Sequence, residues 1–159
     1  MANFEAPVLY SAVTTTFKTT GFLWSAGTHR AMVYELEFGQ SGGGYASTDI
    51  ACQWDLSRAA TPTLNGALIA ANTLDLADTA VATTLFINAA TAEPTYTTAG
   101  NGLSLKSWGI NQRGSYRWRA LDDGDNIIIP ATAGVGAGLR TTSVSYTNSA
   151  VGNISFVER

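Results

Sequence analysis

Cysteine, histidine and charge are all scarce in this chain of 159 residues. Its single cysteine, Cys52, leaves no partner for an intrachain disulfide. Its single histidine, His29, has no second histidine or cysteine pair with which to build a transition-metal site. Charged residues make up 13 % of the chain and hydrophobic residues 45 %, which predicts a folded protein with an unusually neutral surface. The formal net charge is −3 and no basic run outweighs the acidic residues, so a nucleic-acid partner is not expected. No window approaches the roughly eighteen apolar residues of a membrane helix. The opening "MANFEAPVLYSAV" lacks the basic start and long apolar stretch of a secretory leader. The expectation is a protein made in the cytoplasm with no membrane partner, stabilised by packing and self-association. Its length suits one domain over residues 1–159.

What the chain does have is alternation with a period of two, the mark of strands with one buried face. In "MVYELEF", Met32, Tyr34, Leu36 and Phe38 share one face and Glu35 and Glu37 the other. In "DIACQWDLSR", Ile50, Cys52, Trp54 and Leu56 line up opposite Gln53 and Asp55, which makes Cys52 a small core residue. Tyr116, Trp118 and Ala120 alternate with Arg117 and Arg119, and Ile154 shares a face with Phe156. Further strands are predicted over Thr15–Trp24, Leu85–Ile87, Leu103–Ile110, Ile127–Ile129 and Leu139–Tyr146. Clusters such as "GQSGGG", "TAGNG", "INQRG" and "DDGDN" separate them. The pattern predicts an all-β, single-domain jelly roll or β-sandwich of about eight antiparallel strands. The segment from Pro62 to Thr84 is the exception, where "LDLADTAVATT" reads as a helical turn or a long surface loop. Residues 1–13, without an evident partner in a sandwich, read as an N-terminal arm.

Four stretches invite chemistry. "DDGDNIIIPATAGVGAGLR" is glycine-rich, yet Gly134, Gly136 and Gly138 lack the spacing of a phosphate loop and precede β-branched residues, not a helix. A tight connection between strands is expected there. "GQSGG" matches a nucleophile elbow at Ser41, but an elbow needs a following helix and a histidine after the serine, and His29 comes before it. Asp122, Asp123 and Asp125 offer oxygens to a cation, but the spacing does not fit a calcium loop and no glutamate closes it; Asp-Gly between strands signals a hairpin. The "NIS" at Asn153 is a glycosylation sequon, left idle without a leader. No catalytic residue, cofactor or metal is assigned, and the chain is not read as an enzyme. Arg117, Arg119 and Arg140 are candidates for ion pairs within or between subunits.

The order "HRAMVYELEFGQSG", "QWDLSRAATPT", "NTLDLADTA", "SYRWRALDDGDNIIIPATAGVGAGLR" and "NISFVER" resembles small structural proteins of tailed bacteriophages, in particular the jelly-roll decoration, or cement, proteins of icosahedral heads. The resemblance spans nearly the whole chain and rests on pattern and loop order, with no catalytic motif. It implies a homotrimer on the outer capsid surface of the virion, bound to the major capsid protein and stabilising the shell. Phe4, Val8 and Tyr10 of the arm, with Arg117, Arg119 and Arg140, are then the interface candidates. The competing reading is a carbohydrate-binding or receptor-binding jelly roll of a phage tail or fibre, with Trp24 and Trp108 near turns as the exposed aromatics and Trp54 and Trp118 in the core.

Overall fold

A computed structural model describes residues 2–13, 15–25, 27–41, 48–60, 67–69, 71–75, 77, 85–88, 93–96, 104–142 and 148–159. The strands in chain order are β1 (Asn3–Val13), β2 (Lys18–Trp24), β3 (Ala31–Ser41), β4 (Ala51–Ala60), β5 (Ala67–Ile69), β6 (Asn72–Thr73), β7 (Leu85–Asn88), β8 (Lys106–Asn111), β9 (Ser115–Arg119), β10 (Ile127–Ile129), β11 (Val135–Thr142) and β12 (Asn148–Glu158). They form two antiparallel six-stranded sheets. One sheet runs β10-β3-β12-β1-β6, with β9 also on β3; the other runs β5-β7-β2-β11-β4-β8.

The pairings nest. β1 pairs with β12, β2 with β11, β3 with β9 and β10, and β4 with β8. A long hairpin so paired, then rolled until β12 meets β3 and β11 meets β4, is a jelly roll. The all-β sandwich is therefore as the alternation predicts. The strand count exceeds the expected eight for two reasons. β9 and β10 lie along one side of β3 and are divided by the loop 120–126, and the segment between β4 and β8 adds β5, β6 and β7 to the sheet edges. Within Pro62 to Thr84, β5 and β6 precede Leu74, and most of the "LDLADTAVATT" stretch read as a helical turn or surface loop lies outside the described residues. So do 143–147, and the predicted Leu139–Tyr146 strand is β11, beginning four residues earlier and ending at Thr142.

The arm is a correction. Asn3 to Tyr10 pair in unbroken register with Val157 to Ala150, so β1 lies inside its sheet. Phe4, Ala6 and Val8 point into the core, where Phe4 stacks on Phe156 at 5.4 Å. Burying side chains of the size of Phe4 and Val8 is worth about 1.5–3 kcal/mol each, ample to hold the segment down. Because β1 and β12 run antiparallel with Asn3 beside Val157, the start of β1 and the end of β12 lie side by side. Deeper in the core, Phe38 packs on Trp54 at 4.7 Å among Leu23, Leu36, Leu139 and Ile154. Cys52 and Trp54 are buried as expected.

The glycine run is the second correction. Only Gly134, at φ 78°, serves a turn; Gly136 and Gly138 are interior residues of β11. They are small because the outer face of their sheet is covered. A Cβ on Gly138 would run into the Tyr96 hydroxyl, and one on Gly136 into the Leu23 carbonyl, with Phe22 and Trp24 close by. Phe22, Trp24, Ala59 and Tyr96 form a second apolar cluster on this outer side.

Candidate interaction surfaces

Strand alternation places Glu35 and Glu37 on the outer face of the first sheet, and cross-strand register sets Arg119 opposite Glu35 and Arg117 opposite Glu37. Arg117 reaches diagonally to Glu35, donating from Nε and Nη2 at 2.8 and 2.9 Å. Arg119 Nε lies 3.8 Å from the same carboxylate. The hydrogen bonds and charge of Glu35 push the Arg117 guanidinium pKa further up. These two arginines are paired within the chain, and Glu35 brings them together. A shallow cleft of about 400 Å³ lies beside them, lined by residues that include Glu37, Gly39, Ser115, Val151 and Asn153.

Arg140 sits on the other sheet, far from this group in the fold. Its guanidinium carbon lies 4.2 Å from the Tyr96 ring centre and 4.7 Å from that of Phe17, a stack between two aromatic faces. Beneath it, Thr19 donates its backbone N–H to Glu93 at 3.0 Å and its hydroxyl meets the Tyr96 hydroxyl at 2.6 Å. Burial pushes the Tyr96 phenol pKa far up, against the opposing pull of Thr19 and Arg140. Arg140 therefore fastens the 93–96 segment over β11 within the subunit. Asp55, expected to face solvent, is 5 % exposed and accepts hydrogen bonds from Ser107 at 2.7 Å and Gln53 at 3.2 Å.

Of the other interface candidates, Phe4 and Val8 are buried in their own chain and so are removed from any exposed patch. Tyr10 pairs through its backbone with Ala150, and its side chain lies outside the described residues. What sequence reasoning missed is exposed Leu9, at 53 %, on the outward phase of β1, and Leu121, at 92 %, in the loop between β9 and β10. The alternation of "NFEAPVL" carried the signal for Leu9, since Phe4, Ala6 and Val8 point inward and Leu9 must then point out.

The aromatic expectations divide. Trp24 is buried, which overturns its reading as an exposed residue. Trp108 is half-buried at the sandwich edge where β8 faces β9. There its ring lies 6.0 Å from Tyr116, which is 41 % exposed, and both rings lean on Phe38. Lys106 Nζ lies 5.1 Å from the centre of the half-buried Trp118 ring. Tyr116 was expected in the core; β9 is an edge strand, so its inward side is open to solvent along one margin.

Ser41 and His29 fall at opposite ends of β3, a separation of roughly 30 Å at strand rise. They do not form a dyad, and Gly43 of that motif lies outside the described residues. His29 stands in an exposed turn where Ser25 donates its hydroxyl to the His29 carbonyl at 2.8 Å. In the acidic loop, Asp122 Oδ1 accepts the Gly124 N–H at 2.7 Å and Asp123 pairs with Arg159 at 3.4 Å. Among the described residues no group of three His, Cys, Asp or Glu side chains converges to hold a metal ion. The sequon Asn153 is half-buried within β12. Comparison with known protein families, curated proteins and solved structures finds no match for the chain.

Proposed function

We propose that the protein is a bacteriophage head decoration protein that binds the outside of the capsid shell as a homotrimer and stabilises it, with the major capsid protein as its partner. The observation that carries this reading is the nested jelly roll, in which Glu35 binds the strand arginines, Arg140 stacks between aromatic rings and Asp122 closes its turn. The pattern of the sequence supports the same reading. A rigid β-sandwich of low charge is suited to lying flat against neighbouring subunits, and three linked copies multiply weak shell contacts through effective concentration. Light scattering of the purified protein, followed by co-sedimentation with undecorated heads, tests this. The expected mass is three times the chain's 16.7 kDa, with saturable binding to heads; absence of head binding overturns the reading.

The margin formed by Trp108 and Tyr116 favours a second reading, a glycan- or receptor-binding jelly roll, because partly exposed rings stack on sugar faces. Binding on a glycan array that is abolished by Tyr116→Ala, with heads left unbound, would establish it in place of the first.

A further inference from the structure

The loop between β9 and β10 carries the most exposed large apolar side chain of the described residues, Leu121 at 92 %. The loop is not slack. Asp122 Oδ1 takes the Gly124 N–H at 2.7 Å and the Asp122 carbonyl takes the Asp125 N–H at 3.1 Å, so Leu121 is presented on a preformed turn. Leu121 is immediately followed by Asp122 and Asp123, with Asp125 close behind, giving an apolar tip with an acidic collar.

The same chain has a cavity of complementary chemistry. A cavity of about 430 Å³ opens among Met32, Ile128 and Ala131, with Arg30 and Arg159 also in its lining. Its lining combines three apolar side chains with two arginines. The cleft near Gly39 and Val151 is of similar size, but Glu37 in its wall would repel the aspartates. Leu121 does not fill the basic cavity of its own chain, since it stands in solvent. We infer that the Leu121 tip of one copy seats in the Arg30–Arg159 socket of a second copy, Leu121 against Met32 and Ile128 and the aspartates against the arginines. The existing Asp123–Arg159 pair, 3.4 Å long and largely exposed, is worth little and gives way to the contact between copies.

This deepens the self-association named above and rests on it. Leu121→Ser removes the tip and Ala131→Glu places an acid in the socket; both positions are exposed, and unchanged circular dichroism melts will show that the fold is kept. The expected result is that each variant alone has the mass of one chain by light scattering. Mixed in equal amounts they give a species of two chain masses, because one variant keeps an intact socket and the other an intact tip. Raised salt weakens that species. Wild-type assembly that survives Leu121→Ser, or a mixture that stays monomeric, overturns the inference and leaves head decoration standing. A wild-type chain that is monomeric at every concentration yet binds heads overturns the seat and the trimer; one that also fails to bind heads overturns the decoration reading as well.

Discussion

Gly138 shows how a residue chosen for its lack of a side chain fixes what lies above it. The Tyr96 hydroxyl occupies the space a Cβ would take, and through Thr19 and Arg140 it ties the 93–96 segment to the sheet. Gly138→Ala is expected to cost about 1–3 kcal/mol by overpacking, seen as a lower melting temperature and a change in tyrosine fluorescence. Tyr96 itself predicts an alkaline limit. Burial holds its phenol pKa above the ordinary value near 10, so the folded chain keeps a proton that the unfolded chain releases. The stability this contributes is complete below about pH 10 and is lost as the pH climbs toward the folded value. In Tyr96→Phe the fall in melting temperature between pH 10 and 12 becomes shallower. It does not vanish, because Tyr34 is also raised by burial. At neutral pH the same variant loses about 1 kcal/mol for the missing hydrogen bond.

Among the elements, β1 separates the two views of residues 1–13. If they were an arm, their removal would leave the melting temperature where it was. As a strand between β12 and β6 they are indispensable: deletion of residues 1–13 should give an unfolded or insoluble chain, and Phe4→Ala alone should cost about 3–5 kcal/mol in a denaturant titration. The alternation that reveals β3 and β4 was equally present in "NFEAPVL", but Pro7 masks it, since proline cannot donate to a ladder. It is nevertheless held in the ladder opposite Asn153, while β6 pairs with Phe4 and Glu5. The glycines of β11 misled for a similar reason. Gly136 and Gly138 look like a connection in sequence, and only the arrival of Phe22, Trp24 and Tyr96 from distant segments explains their place in a strand. Tyr116 fails in the opposite direction, because alternation shows which way a side chain points but not that the strand is at an edge.

At the scale of the molecule, the fold class was legible because each half of the chain repeats the same signal, short amphipathic strands punctuated by turns. The surfaces were not. Arg117, Arg119 and Arg140 were visible as candidates for ion pairs, but whether a charge is used inside the subunit depends on Glu35, Phe17 and Tyr96, which come from distant parts of the chain. Leu121 and its basic socket are likewise brought together as a pattern only by the pairing of β3 with β10 and the course of the chain's end.

The adjacency of Asn3 and Val157 has a practical meaning for anyone who would build with this protein. Joining the start of β1 to the end of β12 through a short glycine-serine linker and opening the chain at Asp123–Gly124 should yield a circular permutant that melts cooperatively near the parent temperature. For the same reason a cargo domain attached to either end departs from one place on the sandwich. A pair of cargoes, one on each end, would be held as close neighbours, and energy transfer between two fluorescent fusions would register their proximity.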